Sequence, residues 1–507
     1  MKKVYLVILV LSFIAVNVKA QSVEDSLRDQ ITEMKDRING IDERLMTSEN
    51  DLSKHNKIKI SGYIQGQFDY FENHLSYPNN SFQVRRTRLK VQYEAADGIK
   101  FVLQPELGPG GFELKDAYVT ANSPIFSNLD LWVGKFNRPN YEVEFSSSQR
   151  EVPERSRIIK ALYPGERAIG AKLEYNPKII PLKLQLAILN GNDGYTYKDA
   201  LGNNMNTAQA ATNKDFDNFK DFMVRATYTT KLNDIIGLDF GFNGYLGQLK
   251  ATSTSTIKGD YTLDNNTTVI GDALKRNWIG AEFQLYVDFL GGMSLKGEYM
   301  MGQNALPGYI SNTTTTTTAN AMNATNDTII TTNTNTINKT QKPNQIVKFT
   351  GGYLYLNKNI GKKNQFSVRY DFYDPNTQIS GDEINSKYYS ANIADVTTSS
   401  SKVSGKNIIV TKNITQTNVK MNSGTSDIAY QTLTLAWNHY LNDNIRITFA
   451  YEIPMNEKTN SMNLTKDAAG NLVNLNDKAT INGVDQYNYY NTVFKQNTFT
   501  IRLQAKF

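Results

Sequence analysis

Arg86, Arg88 and Lys90 stand at two-residue spacing. In an extended chain that spacing places three cations on one face, about 7 Å apart. Such a row can hand an anion from one partner to the next, and paired guanidinium groups suit the oxygens of phosphate. A second basic group occupies the segment 137–167, with Arg150, Arg155, Arg157, Lys160 and Arg167. Further along, Lys172, Arg225, Lys296, Arg369, Arg446 and Arg502 recur singly. Other chemistry has little to draw on. There is no cysteine, and the three histidines are His55, His74 and His439. Thiolate metal sites, disulfides and cysteine nucleophiles are therefore excluded. No metal site and no cofactor is expected. His439 has no serine partner in phase on its own strand, so no catalytic residue is expected either.

The elements that must position these cations read as follows. The chain has 507 residues, 40% hydrophobic and 21% charged, with a formal net charge of +6. Beyond the N-terminus there is no run of about 20 apolar residues, which excludes a helical membrane protein. Lys2 and Lys3 precede the apolar run 4–16, and Val18 and Ala20 occupy the small-residue places before a cleavage point. This predicts a signal peptide over 1–20 and export from the cytoplasm. In residues 21–56, Leu27, Ile31, Met34, Ile38, Ile41, Leu45 and Leu52 follow three- and four-residue steps. That seam predicts a periplasmic coiled-coil helix, and isoleucine at both seam places favours a trimer.

From Lys57 the period becomes two. Ile58, Ile60, Ile64, Phe68 and Tyr70 share one face of the first strand. Phe499, Ile501, Leu503, Ala505 and Phe507 alternate with Thr500, Arg502, Gln504 and Lys506 in the last. Between them the same alternation predicts strands near 82–95, 99–107, 112–122, 128–136, 168–176, 181–190, 221–230, 236–247, 276–289, 293–303, 346–357, 364–373, 428–441 and 444–453. An even total of 16, with short and long connections alternating, is the pattern of a closed outer-membrane barrel. The expected class is all-β: a 16-stranded antiparallel transmembrane β-barrel over 57–507, preceded by a short N-terminal coiled-coil helix. Tyr63, Tyr70, Tyr93, Tyr353, Tyr440 and Tyr451 read as aromatic strand ends. Two Thr- and Asn-rich stretches, 311–340 and 397–426, read as solvated external loops.

Phase decides where the charges point. Leu89, Val91 and Tyr93 face lipid, so Arg86, Arg88 and Lys90 face the lumen. Lys172, Arg225, Lys296, Arg369, Arg446 and Arg502 face it by the same rule. A charge on the lipid face near the midplane would cost roughly 2–4 kcal/mol. Inward acids accompany them: Asp69, Glu94, Glu106, Asp116, Glu174, Asp239, Glu282, Glu298 and Asp371. Two readings stay open, a mixed polar lumen of weak selectivity and an arginine stripe that passes anions. The basic segment 137–167 is expected to fold into the lumen and narrow it.

Several motifs carry a resemblance. They are Gly62-Tyr63-Ile64-Gln65, Val84-Arg85-Arg86-Thr87-Arg88-Leu89, Leu114-Lys115-Asp116-Ala117-Tyr118-Val119 and Val133-Gly134-Lys135-Phe136 with Pro139. Glu154-Arg155-Ser156, Pro164-Gly165-Glu166-Arg167 with Gly170, Asn190-Gly191 and Arg369-Tyr370-Asp371 follow in order. With the aromatic C-terminal strand, these make residues 57–507 resemble the phosphate-selective porin O/P family. The resemblance implies a trimeric 16-stranded channel in a Gram-negative outer membrane. It implies anion contacts at Arg86, Arg88 and the basic inner loop. Phe507 resembles the signal read by the barrel-assembly machinery.

The expected function is passive diffusion of small anions, phosphate and polyphosphate included, with Arg86, Arg88, Lys90, Arg150, Arg155, Arg157, Arg167, Arg225, Arg369, Arg446 and Arg502 lining the pore. Strand 221–230 offers only Arg225, so the expected selectivity is weak to moderate rather than tight phosphate binding. The alternative is a general, non-selective porin with a structural or adhesive envelope role through its helix and long loops. Expected partners are small anions, outer-membrane lipid, the assembly machinery and further copies of the chain in a homotrimer, with no nucleic acid.

Overall fold

A computed structural model describes residues 57–72, 79–109, 111–139, 144, 146–163, 166–191, 215, 217–251, 255–258, 267–288, 291–306, 309–322, 329–342, 345–381, 388–404, 407–422, 428–457, 464–466, 472–474, 479–481, 484–486 and 497–507. The predicted signal peptide and the predicted helix over 21–56 lie outside these residues. Ile60–Val91 with Ala96–Phe507 form one compact unit. The other compact unit is described only at 57–59 and Gln92–Ala95, where the Glu94 N–H donates to Lys57 O at 2.9 Å.

Sixteen strands close into an antiparallel barrel in chain order. They are β1 (Ile58–Phe71), β2 (Asn80–Ala96), β3 (Ile99–Gly108), β4 (Gly111–Asn122), β5 (Leu129–Asn137), β6 (Arg167–Tyr175), β7 (Leu182–Leu189) and β8 (Asp221–Lys231). The second half is β9 (Ile236–Lys250), β10 (Ala273–Val287), β11 (Met293–Leu306), β12 (Gln345–Ile360), β13 (Asn364–Asp374), β14 (Tyr430–Tyr440), β15 (Ile445–Pro454) and β16 (Thr498–Lys506). The seam pairs β16 with β1, so that Tyr63 faces Lys506 and Gln67 faces Arg502 across it. Closure leaves no unpaired strand edge, which a backbone in hydrocarbon requires.

The residue types explain the closure. Each strand puts apolar side chains on one face and polar ones on the other. On β9, Phe242 is 64% exposed and Leu246 63% exposed, whereas Asn243 is 4% exposed and Tyr245 1%. The molecule is thus apolar outside, and its interior holds most of its buried charge. Outward hydrophobes such as Leu186, Phe222, Ile279 and Leu354 form the surface for lipid. Gly134 and Gly170 face each other across β5 and β6. A Cβ on Gly134 (φ 125°) would sit 2.3 Å from Ala117 O, so the strands approach too closely there for any side chain.

Two expectations are corrected. Tyr63 and Tyr353 are not outer aromatic ends, because both are buried inside the barrel. The Tyr63 hydroxyl meets Ser147 and the Tyr353 hydroxyl donates to Glu298. They occupy the inward phase of β1 and β12, opposite the outward residues Ile64 and Leu354 beside them. The Thr- and Asn-rich stretches are also extended backbone rather than open loop. Tyr309–Met322 pairs with Ile329–Lys342, Tyr388–Ser404 pairs with Asn407–Asn422, and the two hairpins join through Asn338 opposite Val396. Threonine suits a pleated strand, and that preference prevails over low complexity.

Candidate functional site

After β5 the chain turns into the lumen. Ser147 O accepts from Gln65 Nε2 at 3.1 Å and Ser148 O from Gln504 Nε2 at 3.0 Å. Glu151 pairs with Lys296 at 2.5 Å, and its carbonyl accepts from Asn438 Nδ2 at 2.8 Å. Pro153 O accepts from Arg502 Nη1 at 2.6 Å. These partners stand on β1, β16, β11 and β14, so the segment spans the lumen from wall to wall.

Glu144 ties the segment down. Its buried carboxylate accepts from the Ser156 N–H at 2.8 Å, from Ser156 Oγ at 2.8 Å and from the Tyr355 hydroxyl at 2.5 Å. Arg369 supplies the countercharge at 3.3 Å. The helix α1 (Arg157–Leu162) follows, with Ile158, Ile159 and Leu162 buried. They pack in a cluster with Phe136, Tyr163, Met300, Phe349 and Tyr373. Each such burial is worth roughly 1.5–3 kcal/mol. Tyr163 adds an edge-on contact with Trp278 and accepts the indole N–H at 2.8 Å. Alternation on β9–β13 identifies the inward positions, but it does not show that many of them are aromatic supports for a helix.

The structure places the sequence-predicted cations as follows. Arg88 pairs with Glu106, and Arg86 stands 3.8 Å from the same carboxylate. Arg167 is bound to Asp116 at 3.0 Å and to Glu166 at 2.5 Å, and Arg155 shares Glu166. Arg225 pairs with Glu282. Arg369 also holds Asp371 at 3.0 Å. Arg502 binds Glu154 at 3.1 Å. Arg157 is exposed, with its guanidinium 4.1 Å from the centre of the Tyr430 ring. Among the described residues no carboxylate pairs with Lys90, Arg150 or Arg446; Arg446 lies 5.9 Å from the Tyr440 ring.

The phase of β2 slips by one residue. Gln83 and Arg85 reach the inward carboxylates Asp69 and Glu154, at 2.7 Å and 3.0 Å. Arg86 and Arg88 nevertheless also face inward. Such a slip is what an extra residue in a strand produces, and it adds Arg85 to the lumen. Strict alternation had hidden it. Glu154 gathers Arg85, Arg502 and Lys160, the last at 3.4 Å. Burial pushes its carboxyl up, but Lys160 and Arg85 outweigh that and hold it well below the usual carboxylate range. It remains an anion among cations.

Three of the cavities among the described residues lie against Ser146–Glu151. The first, about 660 Å³, lies on the short-turn side between the inward segment and β1–β7 and β16. Its charged lining is Arg88, Lys90, Arg138, Arg167, Lys172, Lys183 and Lys506, against Asp116 and Glu174 alone. The second, about 410 Å³, is nearly balanced, with Arg150, Lys183, Arg225 and Lys296 against Glu151, Asp239 and Glu282. The third, about 310 Å³, has Lys296 with Glu151 and Asp288. Charge excess is therefore concentrated in the first. Sequence reasoning did not single out Arg138, Lys183 or Lys506 as pore residues. Arg138 lies just past a strand end and Lys183 is the second residue of β7, while Lys506 closes the alternating run of β16 on its polar face. Arg276 was also missed. It is fully buried, 3.8 Å from Asp221, and donates to Gly191 O at 3.1 Å.

An apolar exterior, a charged interior and a segment folded across the lumen define an outer-membrane porin. The family profile described as phosphate-selective porin O and P matches residues 58–476, and the chain belongs to that family. No curated protein matches the chain. Among solved structures, OprB of Pseudomonas putida aligns with a TM-score of 0.51 at 9% identity, covering 91% of this chain and 96% of its own. The anion-selective porin of Comamonas acidovorans aligns at 0.45 and 11% identity, covering 89% and 99%. OmpT of Vibrio cholerae aligns at 0.42 and 8%, covering 89% and 97%. At these identities the likeness concerns the fold alone.

Proposed function

We propose that this porin passes small anions by passive diffusion and prefers them to cations. The observation that carries this is the 660 Å³ cavity, where seven basic side chains face two acidic ones. An excess of one sign of charge in a confined, partly desolvated space raises the local concentration of the counter-ion. Most lumen arginines are already paired, and that pairing favours a second reading, a general porin of little preference. It argues against tight phosphate binding, which needs free bidentate guanidinium groups. A modest preference set by the ammonium groups reconciles the two observations. Phe507 supports a role in assembly: its N–H and C=O pair with Gly62 at 3.1 Å each, completing the seam.

Changing Lys90 and Lys506 together to Gln tests the proposal. Neither side chain has a carboxylate partner among the described residues, so neutralising both leaves no acid stranded. The reversal potential in a KCl gradient is expected to move toward the cation side. An unmoved potential would mean that the cavity does not set selectivity.

A further inference from the structure

We infer that the 660 Å³ cavity takes a monosaccharide-sized organic anion, a hydroxyl-bearing ring carrying phosphate or carboxylate, in preference to the inorganic ion. The inference rests on the anion-preferring reading above and names its substrate class. Size comes first. About 660 Å³ falls in the range of roughly 300–1,000 Å³ that small organic ligands occupy. A single inorganic ion would touch only one part of such a wall.

The kind of charge comes next. Arg167, which could grip an oxyanion with two parallel N–H groups, already turns both toward Asp116, and Arg88 gives its Nε–H to Glu106, which leaves only Nη2 of that fork without a hydrogen bond. The cations left without a carboxylate, Lys90 and Lys506, are ammonium point charges. They attract an anion without demanding a bare phosphate geometry.

The rest of the wall is suited to a ring. Tyr118 and Trp132 lie with ring centres 4.8 Å apart, and Lys172 Nζ stands 3.8 Å from the centre of the Trp132 ring. An apolar strip beside a cation matches a molecule with C–H faces and one anionic group. Besides Arg88 Nη2, the buried wall atoms without a hydrogen-bond partner among the described residues include the Trp132 Nε1–H donor and the Asn137 Oδ1 acceptor. A ring that bears several hydroxyls can meet the donor and the acceptor while its anionic group stays with the ammonium groups. A hydroxyl can satisfy either.

The test uses the purified full-length channel in planar bilayers, with chloride current as the readout. The probes are inorganic phosphate, glucose 6-phosphate and glucose. Glucose 6-phosphate is expected to halve the current at a concentration at least about fivefold lower than phosphate, and glucose is expected to be without effect. In the double variant Trp132→Ala, Asn137→Ala the ratio of the two blocking concentrations should fall toward one. If the channel prefers anions but phosphate blocks as well as glucose 6-phosphate, this inference fails and the anion reading stands. If the channel shows no anion preference and neither anion blocks, both fail. Because the wild-type comparison decides by itself, a double variant that does not assemble leaves the test intact.

Discussion

Replacing Glu144 with Ala is expected to release the inward segment and raise single-channel conductance severalfold, with added current noise. The carboxylate is buried, holds Arg369 at 3.3 Å and accepts three further hydrogen bonds. Removing one partner of a buried ion pair costs about 3–5 kcal/mol, because the other charge and its donors are left without compensation. Asp371 still neutralises Arg369 at 3.0 Å, so the wall should keep its shape. Ser156 and Tyr355 have no such reserve, and Ser156 is where α1 begins. The loss therefore falls on the segment rather than on the barrel. Glu144→Gln keeps an acceptor oxygen and should give a smaller rise. Conductance and noise at wild-type levels in the alanine variant would show that the apolar cluster around Ile158 and Leu162 holds the segment unaided.

A lysine placed at Ile279 is expected to cut the amount of folded barrel in the outer membrane severalfold, while a lysine at Gln284 should be nearly neutral. Both stand on β10, five residues apart, and so on opposite faces. Ile279 is 66% exposed in mid-strand, between Gly244 and Met301 of the neighbouring strands. A cation there would face hydrocarbon at a cost of roughly 2–4 kcal/mol. Gln284 lines the second cavity near Asp239 and Glu282, where a cation meets water and acids. Equal yields of heat-modifiable protein from the two variants would overturn the assignment of faces.

The sixteen strands could be read from the sequence because membrane barrels impose alternation of period two on every strand. A charge in the wrong phase is costly, so Arg225, Arg369 and Arg502 had one direction open to them, and all three are buried inside. What alternation could not show is the pairing of those charges. Register across strands decides that Arg225 meets Glu282 rather than water. Nor could it show the slip at Arg85–Arg86, since one extra residue leaves the composition of β2 unchanged. The apolar seat of α1 was hidden for a related reason. Ile158, Ile159 and Leu162 sit in a helix of six residues, too short to show a period, and the residues of their cluster are spread over many strands of the wall. In the basic cavity, Lys183 and Lys506 stand at strand ends and Arg138 just past one, where a short run gives phase the least support.

The central claim is that the lumen favours anions, and the reversal potential of the wild-type channel across a tenfold KCl gradient measures it directly. A seven-to-two excess of basic groups around the 660 Å³ cavity predicts a potential on the anion side of zero, reduced as the salt concentration is raised and the charges are screened. A potential at zero, or on the cation side, would contradict it.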